Sequence, residues 1–362
     1  MKIAILGTRG IPNHYGGFEQ FAEYLSVGLI QRGHDVTVYN SHSHPYQEDT
    51  YEGVKVKHIY DPENKIGTAG QFVYDFLCIL NTRKNNFDII LQLGYTSSSI
   101  FFDLHPKNSI VITNMDGLEW KRSKYSKKVQ KFLEWAESLA VKKSNYLISD
   151  SIGIQNYLKS KYNKESVYIP YGSYIVDKYT ERTCSKYNVK KYKYNMLIAR
   201  LEPENSIEII LDGVSNIKNS IKFLVIGKHE TKYGEFLKEK FKKCSNIIFI
   251  GGIYNQSELN DLRKFSNIYF HGHTVGGTNP SLLEAMGSQA LICANKNEFN
   301  KAILGEDALY FDNKEDIIKV LNNTKKDDYI KFIKNNINKI ESIYEWDNII
   351  NQYESFILNS VS

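Results

Sequence analysis

The sequence predicts an α/β protein made of two doubly wound parallel sheets, and three observations carry that prediction. Apolar runs of strand length alternate with stretches of helical period over residues 1–171. The rhythm breaks over 172–192, where Gly, Tyr, Lys and Asn follow one another without an apolar period, and it restarts over 193–345. Strands that alternate with helices imply a parallel sheet covered on both faces. A chain of 362 residues, 42% of them hydrophobic, has material for two cores rather than one. The expected division is a first domain at 1–171, a linker at 172–192, a second domain at 193–345 and a closing helix at 346–362.

In chain order, residues 2–6 (KIAIL) read as a buried strand ending at Gly7. Phe18, Phe21, Ala22, Leu25 and Leu29 then recur at helical spacing until Gly33 stops the helix. Strands follow at 36–39, 54–60, 88–93, 109–113, 146–149 and 167–169, with helices at 72–83, 127–143 and 152–162 between them. After the break, strands are expected at 195–199, 221–226, 247–250, 268–270, 291–294 and 308–311. Helices are expected at 207–214, 236–244 and 257–265. The Lys- and Asn-rich stretch 313–340 reads as helical and peripheral. Over 346–358, Ile349, Ile350, Tyr353, Phe356 and Ile357 stand at helical spacing.

Composition narrows the function class. A net charge of +5 is too mild to argue for a nucleic-acid partner. Four widely spaced cysteines, Cys78, Cys184, Cys244 and Cys293, form no zinc or disulfide pattern and suit a reduced, cytoplasmic protein. The first residues read as a strand rather than a signal peptide, and no apolar run approaches the ~20 residues of a membrane span.

The chain is organised around residues 271–287, HGHTVGGTNPSLLEAMG. A buried strand runs into a loop holding Gly276, Gly277, Thr278 and Asn279. Asn279 suits the N-cap, Pro280 the first helical position, and the new helix wraps apolar residues around one acid, Glu284. Free amides at a helix start above strand ends bind anions, phosphates above all. The same pattern also describes an ordinary strand–loop–helix with a solvated Glu. Other candidates fall at strand ends too, where ligands of open α/β sheets lie. They are the Gly-rich loop from Gly7 to Gly10 with the pair Gly16 and Gly17, then Arg200 and Lys228, and His273. Asp116 stands after strand 109–113, followed by Lys121 and Arg122. A guanidinium suits a diphosphate through two parallel bonds. Against these stand a plain turn for the glycines, surface ion pairs for Arg200 and Lys228, a structural role for His273, and a helix-capping turn for Asp116. From 121 to 143, eight basic residues interleave with Phe132, Leu133, Trp135, Ala136, Leu139 and Ala140. This is either a surface for anionic membrane or a core helix with a solvated Lys face.

The run GGTNPSLLEAMG resembles the donor signature of retaining GT-B glycosyltransferases of family 4, in which two Glu residues stand eight apart and Ala-Met follows the second. Glu284 matches the second, and the first falls at Gly276, a departure from the pattern. The resemblance is closer to a subgroup of bacterial rhamnosyltransferases of polysaccharide assembly, through GTRGIP with YGGFE, DGLEWKR and ARLEPEN. It implies a GT-B fold of two Rossmann-like domains facing a cleft, with the terminal helix crossing back onto the first.

Several roles follow from that resemblance. A sugar passes from a nucleoside diphosphate to a saccharide acceptor, plausibly lipid-linked, with retained configuration, no metal ion and no cofactor. Arg200 meets the diphosphate, and Lys228 replaces a Lys that relatives carry where this chain has Asn205. Glu284 accepts from the ribose hydroxyls. The amides of Gly277, Thr278 and Asn279 and the ring of His273 touch sugar or phosphate, and Gly16 and Gly17 approach the diphosphate. Asp116 orients the acceptor hydroxyl or takes its proton, while Lys121 and Arg122 hold an acceptor phosphate. Related enzymes place a His near Asp116 against the sugar 6-hydroxyl. This chain has none in 106–228, which fits a 6-deoxy sugar. The expected location is the cytoplasm, at the inner face of the plasma membrane. The rivals are a GT-B sugar-nucleotide epimerase, a non-catalytic sugar-nucleotide binder, and a Rossmann oxidoreductase, for which the GxGxxG and its downstream acid are absent.

Overall fold

The computed structural model describes residues 1–115, 117–122, 125–217, 221–274 and 276–361. Asp116 and Lys124 lie outside them. The chain divides into two compact units, the first made of Met1–Lys121, Tyr125–Tyr171 and Trp346–Ser362, the second of Arg122–Lys124 and Gly172–Glu345.

The first unit holds β1 (Lys2–Leu6), β2 (Asp35–Ser41), β3 (Thr50–Tyr51), β4 (Val54–Ile59), β5 (Ile89–Leu93), β6 (Ile110–Asn114), β7 (Tyr146–Ser149) and β8 (Val167–Tyr168). They lie in the order β3-β4-β2-β1-β5-β6-β7-β8, with every pair parallel except the short β3–β4 edge. Ile3, Ala4, Ile5, Ile89, Ile90 and Leu91 are buried without alternation, as helices on both faces require. Helix Gly17–Gln31 turns Phe21, Ala22, Leu25 and Leu29 inward. Full burial of each large side chain contributes roughly 1.5–3 kcal/mol. The closing helix Trp346–Val361 crosses it where Gly28 leaves room, since a Cβ there would stand 2.4 Å from Ile350 Cδ1. Tyr24 and Phe21 stack on Trp346 at 4.8 and 6.0 Å, and the Tyr353 hydroxyl accepts from Asn114 Nδ2 at 3.0 Å.

The second unit holds β9 (Tyr194–Ile198), β10 (Lys222–Ile226), β11 (Ile247–Gly251), β12 (Ile268–His271), β13 (Ile292–Asn295) and β14 (Leu309–Phe311). All pairs are parallel, in the order β11-β10-β9-β12-β13-β14. Counted along the chain this is 3-2-1-4-5-6, the doubly wound order of dinucleotide-binding sheets. Leu197, Phe223, Val225, Phe270 and Phe311 form its centre.

Residues 172–192, read from the sequence as a linker, are folded onto this unit. Their short helix Arg182–Lys186 lies against helix Gln256–Phe265, where Thr180 N and Thr183 Oγ1 donate to the buried Asp261 carboxylate at 2.9 and 2.6 Å. Polar anchoring of this kind leaves no apolar period to read. The stretch 313–340 contains helices Lys314–Asn323 and Ile330–Lys339.

Candidate functional site

In the second unit the chain leaves β9 toward β10 on one side and leaves β12 toward β13 on the other, so the sheet order reverses between β9 and β12. Open α/β sheets bind ligands at such a point, beyond the carboxyl ends of the strands. The two flanking loops, 199–205 and 272–279, are clasped together. Thr274 donates its N–H and its hydroxyl to the Glu204 carbonyl at 3.1 and 2.8 Å, and a Cβ on Gly272 would stand 2.1 Å from the Asn205 carbonyl. Arg200 projects, exposed, from the end of β9, and Lys228, also exposed, from the end of neighbouring β10. Asn205 does not stand in for a cation. Its side chain is buried and donates to the Arg200 carbonyl at 2.7 Å, which fixes the backbone that carries the guanidinium.

Gly276, Gly277, Thr278 and Asn279 lead into helix Pro280–Gly287. The Asn279 side chain accepts from Ser281 N at 3.0 Å and its carbonyl accepts from Leu282 N at 3.0 Å, while Pro280 carries no N–H, so Asn279 caps the start of the helix from both its side chain and its backbone. Gly276 has φ +136°, which disfavours any side chain although nothing lies within 4 Å of a Cβ there. At the position of the first Glu this chain thus holds a backbone conformation that glycine adopts most readily. Glu284 is not solvated freely. Its Oε2 meets Arg263 Nη2 at 2.5 Å, and the Arg263 side chain is 1% exposed against 16% for Glu284. Sequence reasoning missed Arg263. The signal was its place four residues after Leu259 and one after Leu262, on the inward face of helix Gln256–Phe265.

His271 and His273 stack at the end of β12, with ring centroids 4.4 Å apart and planes 16° apart. Both ring nitrogens of His271 and Nδ1 of His273 are buried without a partner among the described residues. Desolvation, reinforced by Arg200 and Arg122, pushes His273 down to about 3, so its imidazole is neutral at ordinary pH. It therefore offers a hydrogen bond rather than a charge.

In the first unit the order reverses between β1 and β5. Gly7, at φ +90°, passes the β5 end so closely that a Cβ would stand 2.1 Å from the Leu93 carbonyl, and Gly10 is packed on the Asn40 side chain. Arg9 N donates to the buried Glu19 carboxylate at 2.8 Å, closing the loop onto helix Gly17–Gln31. Gly16 is the N-cap of that helix and has no side chain to spend on its amides. A Cβ there would meet only Glu19 Oε2, at 3.4 Å. Packing thus accounts for Gly7 and Gly10 but not for Gly16.

The DGLEWKR stretch is described from Gly117 to Arg122. Lys121 is exposed, and Arg122, grouped with the second unit, lies 3.6 Å from a Glu204 oxygen. Trp120 Nε1 donates to the Tyr157 hydroxyl at 3.2 Å, which donates in turn to Glu137 Oε1 at 2.6 Å. Glu137, 1% exposed on helix Lys127–Lys143, also accepts from Tyr162 and Tyr95 at 2.7 and 3.2 Å. On a helix whose sequence is rich in Lys, this acid is a buried hub. Leu133, Ala136, Ala140 and Val141 face inward with it, while Lys127, Lys128, Lys131, Lys142 and Trp135 remain exposed. Among the described residues no three His, Cys, Asp or Glu side chains gather to hold a metal ion, and no helix is long and apolar enough to cross a membrane.

Residues 1–174 match the family model described as a domain of unknown function, DUF1972. Over 297 residues the chain is 24% identical to an uncharacterised 42.6 kDa protein in the cps region of Klebsiella pneumoniae, covering 75% of this chain and 74% of that protein. Sucrose-phosphate synthase from Thermosynechococcus elongatus superposes with a TM-score of 0.80 at 15% identity, over 99% of this chain and 98% of that one. HepE of Anabaena, solved in complex with UDP-glucose, gives 0.77 at 12% identity over 99% of both chains. The two parallel-sheet units, each doubly wound, have the fold of GT-B glycosyltransferases.

Proposed function

We propose that the protein is a glycosyltransferase that moves a sugar, L-rhamnose, from a nucleoside diphosphate to a saccharide acceptor, retaining configuration and using no metal ion. The observation that carries this reading is the gathering of charge and amide donors at the second unit's switch point. Arg200, Lys228 and the helix start after Asn279 stand there beside Glu284. Breaking a sugar–diphosphate bond puts negative charge on the leaving group, and preorganised donors stabilise it as it forms. Arg200 and the loop amides of Gly276, Gly277 and Thr278 take that task, with Lys228 and neutral His273 beside them. Glu284 holds the ribose. The helix start at Gly16 and Gly17, where Gly16 N donates to Asn13 Oδ1 at 3.1 Å, is a further place for phosphate to approach the backbone. The sugar passes through an oxocarbenium-like state. Attack on the same face follows, the diphosphate helping to take the acceptor proton.

Asp116, Lys121 and Arg122 are assigned to the acceptor, which we take to be a lipid-linked saccharide of surface polysaccharide synthesis. The relative in a cps region supports that setting. The exposed Lys face of helix Lys127–Lys143 supports a cytoplasmic protein resting on an anionic membrane surface. The solved complex of HepE with UDP-glucose supports a nucleotide-sugar donor, and the absence of His from 106–228 favours a 6-deoxy sugar.

A thermal-shift panel of nucleotide sugars tests the donor, because a ligand at ~100 times its dissociation constant adds about 2.7 kcal/mol. A dTDP- or UDP-linked 6-deoxy sugar is expected to stabilise most. Tenfold tighter binding of UDP-glucose or UDP-GlcNAc would overturn rhamnose. Binding with no turnover on any saccharide acceptor would leave the non-catalytic binder, and interconversion of free donors would indicate an epimerase.

A further inference from the structure

We propose that Arg263 is a positioning residue that aims the Glu284 carboxylate at the nucleotide ribose, an inference that rests on the donor-site reading above. Arg263 does not reach the surface. It leaves the last turn of helix Gln256–Phe265 and is 1% exposed, whereas the Glu284 side chain above it keeps 16% of its surface open. Nη2 meets Glu284 Oε2 at 2.5 Å, and Nη1 donates to Asn260 Oδ1 at 3.1 Å, so both ends of the guanidinium are fixed. Asn260 Oδ1 also accepts from the Ser288 hydroxyl at 3.1 Å, just past the end of helix Pro280–Gly287. The two helices are thereby tied at two points, with the carboxylate between them.

Packing alone does not call for an arginine here. Arg263 Nε is buried without a partner among the described residues, and a buried pair is commonly no more stable than apolar side chains of the same volume. The site keeps a costly group, and that group holds one carboxylate oxygen while Asn260 and Tyr269 hold the group itself. A Glu in the second turn of a short helix, still partly open to solvent, otherwise samples several rotamers, and ordering it on binding would subtract from affinity. An arginine fork removes that freedom in advance, and a lysine, a single point charge, does so less well.

The experiment measures affinity by calorimetry for the tightest of UDP, dTDP and GDP, and for its 2′,3′-dideoxy counterpart, on the full chain. Variants are Arg263→Lys, Glu284→Gln and the pair together, each checked by Tm. Arg263→Lys is expected to weaken the hydroxyl-bearing nucleotide about tenfold, the scale of a charged hydrogen bond. It should leave the dideoxy compound within about twofold, and the double variant should bind no worse than Glu284→Gln alone. Equal losses for both nucleotides, additive losses in the double variant, or no loss at all would overturn the proposal. Should Arg263→Lys not fold, Asn260→Ala, which frees Nη1, is read by the same nucleotide contrast, and no contrast overturns the proposal. If the unaltered chain binds none of the three nucleotides, the donor-site reading itself has failed and this inference falls with it.

Discussion

At the scale of single residues, Arg200 and Glu284 differ in what holds them, and that difference decides what their loss should do. Arg200 is exposed, and only its backbone is fixed, through Asn205. Under the proposed function its contact with a diphosphate strengthens as the bond breaks, so Arg200→Leu should lower kcat by roughly 10²–10³-fold, the range for losing a donor to developing charge. Arg200→Lys should recover part of that. In the proposed role Glu284 meets ribose hydroxyls that do not change during reaction, so Glu284→Gln should raise the donor KM more than it lowers kcat. Steady-state kinetics with folded variants checks both. An intact kcat in Arg200→Leu would shift the leaving-group role to Lys228 or the glycine loops. The places of Arg200, just past the end of β9, and of Glu284, on the helix after the glycine loop, were legible because strand length and helix-start residues are both written in sequence. Arg263 was not, because its meaning lies in a contact 21 residues away, and a charged residue beside Leu262 reads as an ordinary helix surface. Asn205 was misleading in the other direction. Read as a missing cation, it proved to be a buried brace for the loop.

At the scale of elements, length rather than place in the sheet decided what was readable, since the edge strands β8, β11 and β14 were read as well as the central ones. β1, β5, β9 and β12 are mostly apolar and show no polar alternation, because neighbours cover both their faces. The two-residue β3 and the short helix Glu63–Ile66 carry too few residues to show any period, and the sequence reading passed over them. Turn glycines divide in the same way, by what surrounds them. Gly7 combines φ +90° with the Leu93 carbonyl at 2.1 Å from a Cβ, whereas Gly16 is extended and meets only the Glu19 carboxylate. Gly7→Ala should therefore cost stability, on the order of 2 kcal/mol from strain and overpacking together. Gly16→Ala should leave the melting temperature nearly unchanged. If Gly16 serves phosphate binding, its alanine variant should still weaken the nucleotide sugar. Loss of stability in both variants, with no separate effect of Gly16→Ala on binding, would reduce the whole loop to a structural turn.

At the scale of the whole molecule, the proposed membrane contact needs a surface to carry it, since no helix of the described residues is long and apolar enough to cross a membrane. The net charge of +5 is too small to direct a protein of this size by itself, so the distribution of charge has to do it. At 3.6 residues per turn, Lys127, Lys128, Lys131, Trp135 and Lys142 fall within an arc of about 100° on one helix. Leu133, Ala136, Glu137, Ala140 and Val141 occupy the opposite arc and are buried. The two readings of this helix, core element and lipid surface, thus describe opposite faces of it. Trp135 is 51% exposed and stacks on Phe132 at 5.7 Å, an aromatic group at the edge of the basic face. Each Lys near an anionic surface contributes about 1 kcal/mol, and the attraction is screened within a Debye length of about 8 Å at physiological ionic strength. The full chain should therefore float with vesicles containing phosphatidylserine at low salt, float less at high salt, and stay below with neutral vesicles. Replacing Lys127, Lys128 and Lys131 together by Gln should reduce the partition by about 100-fold, since about 3 kcal/mol is removed. Their exposed positions predict an unchanged melting temperature, so the variant separates binding from folding. Equal flotation with neutral and anionic vesicles, or a triple variant that floats as well as the parent, would leave this face a solvated surface and remove the membrane from the proposed function.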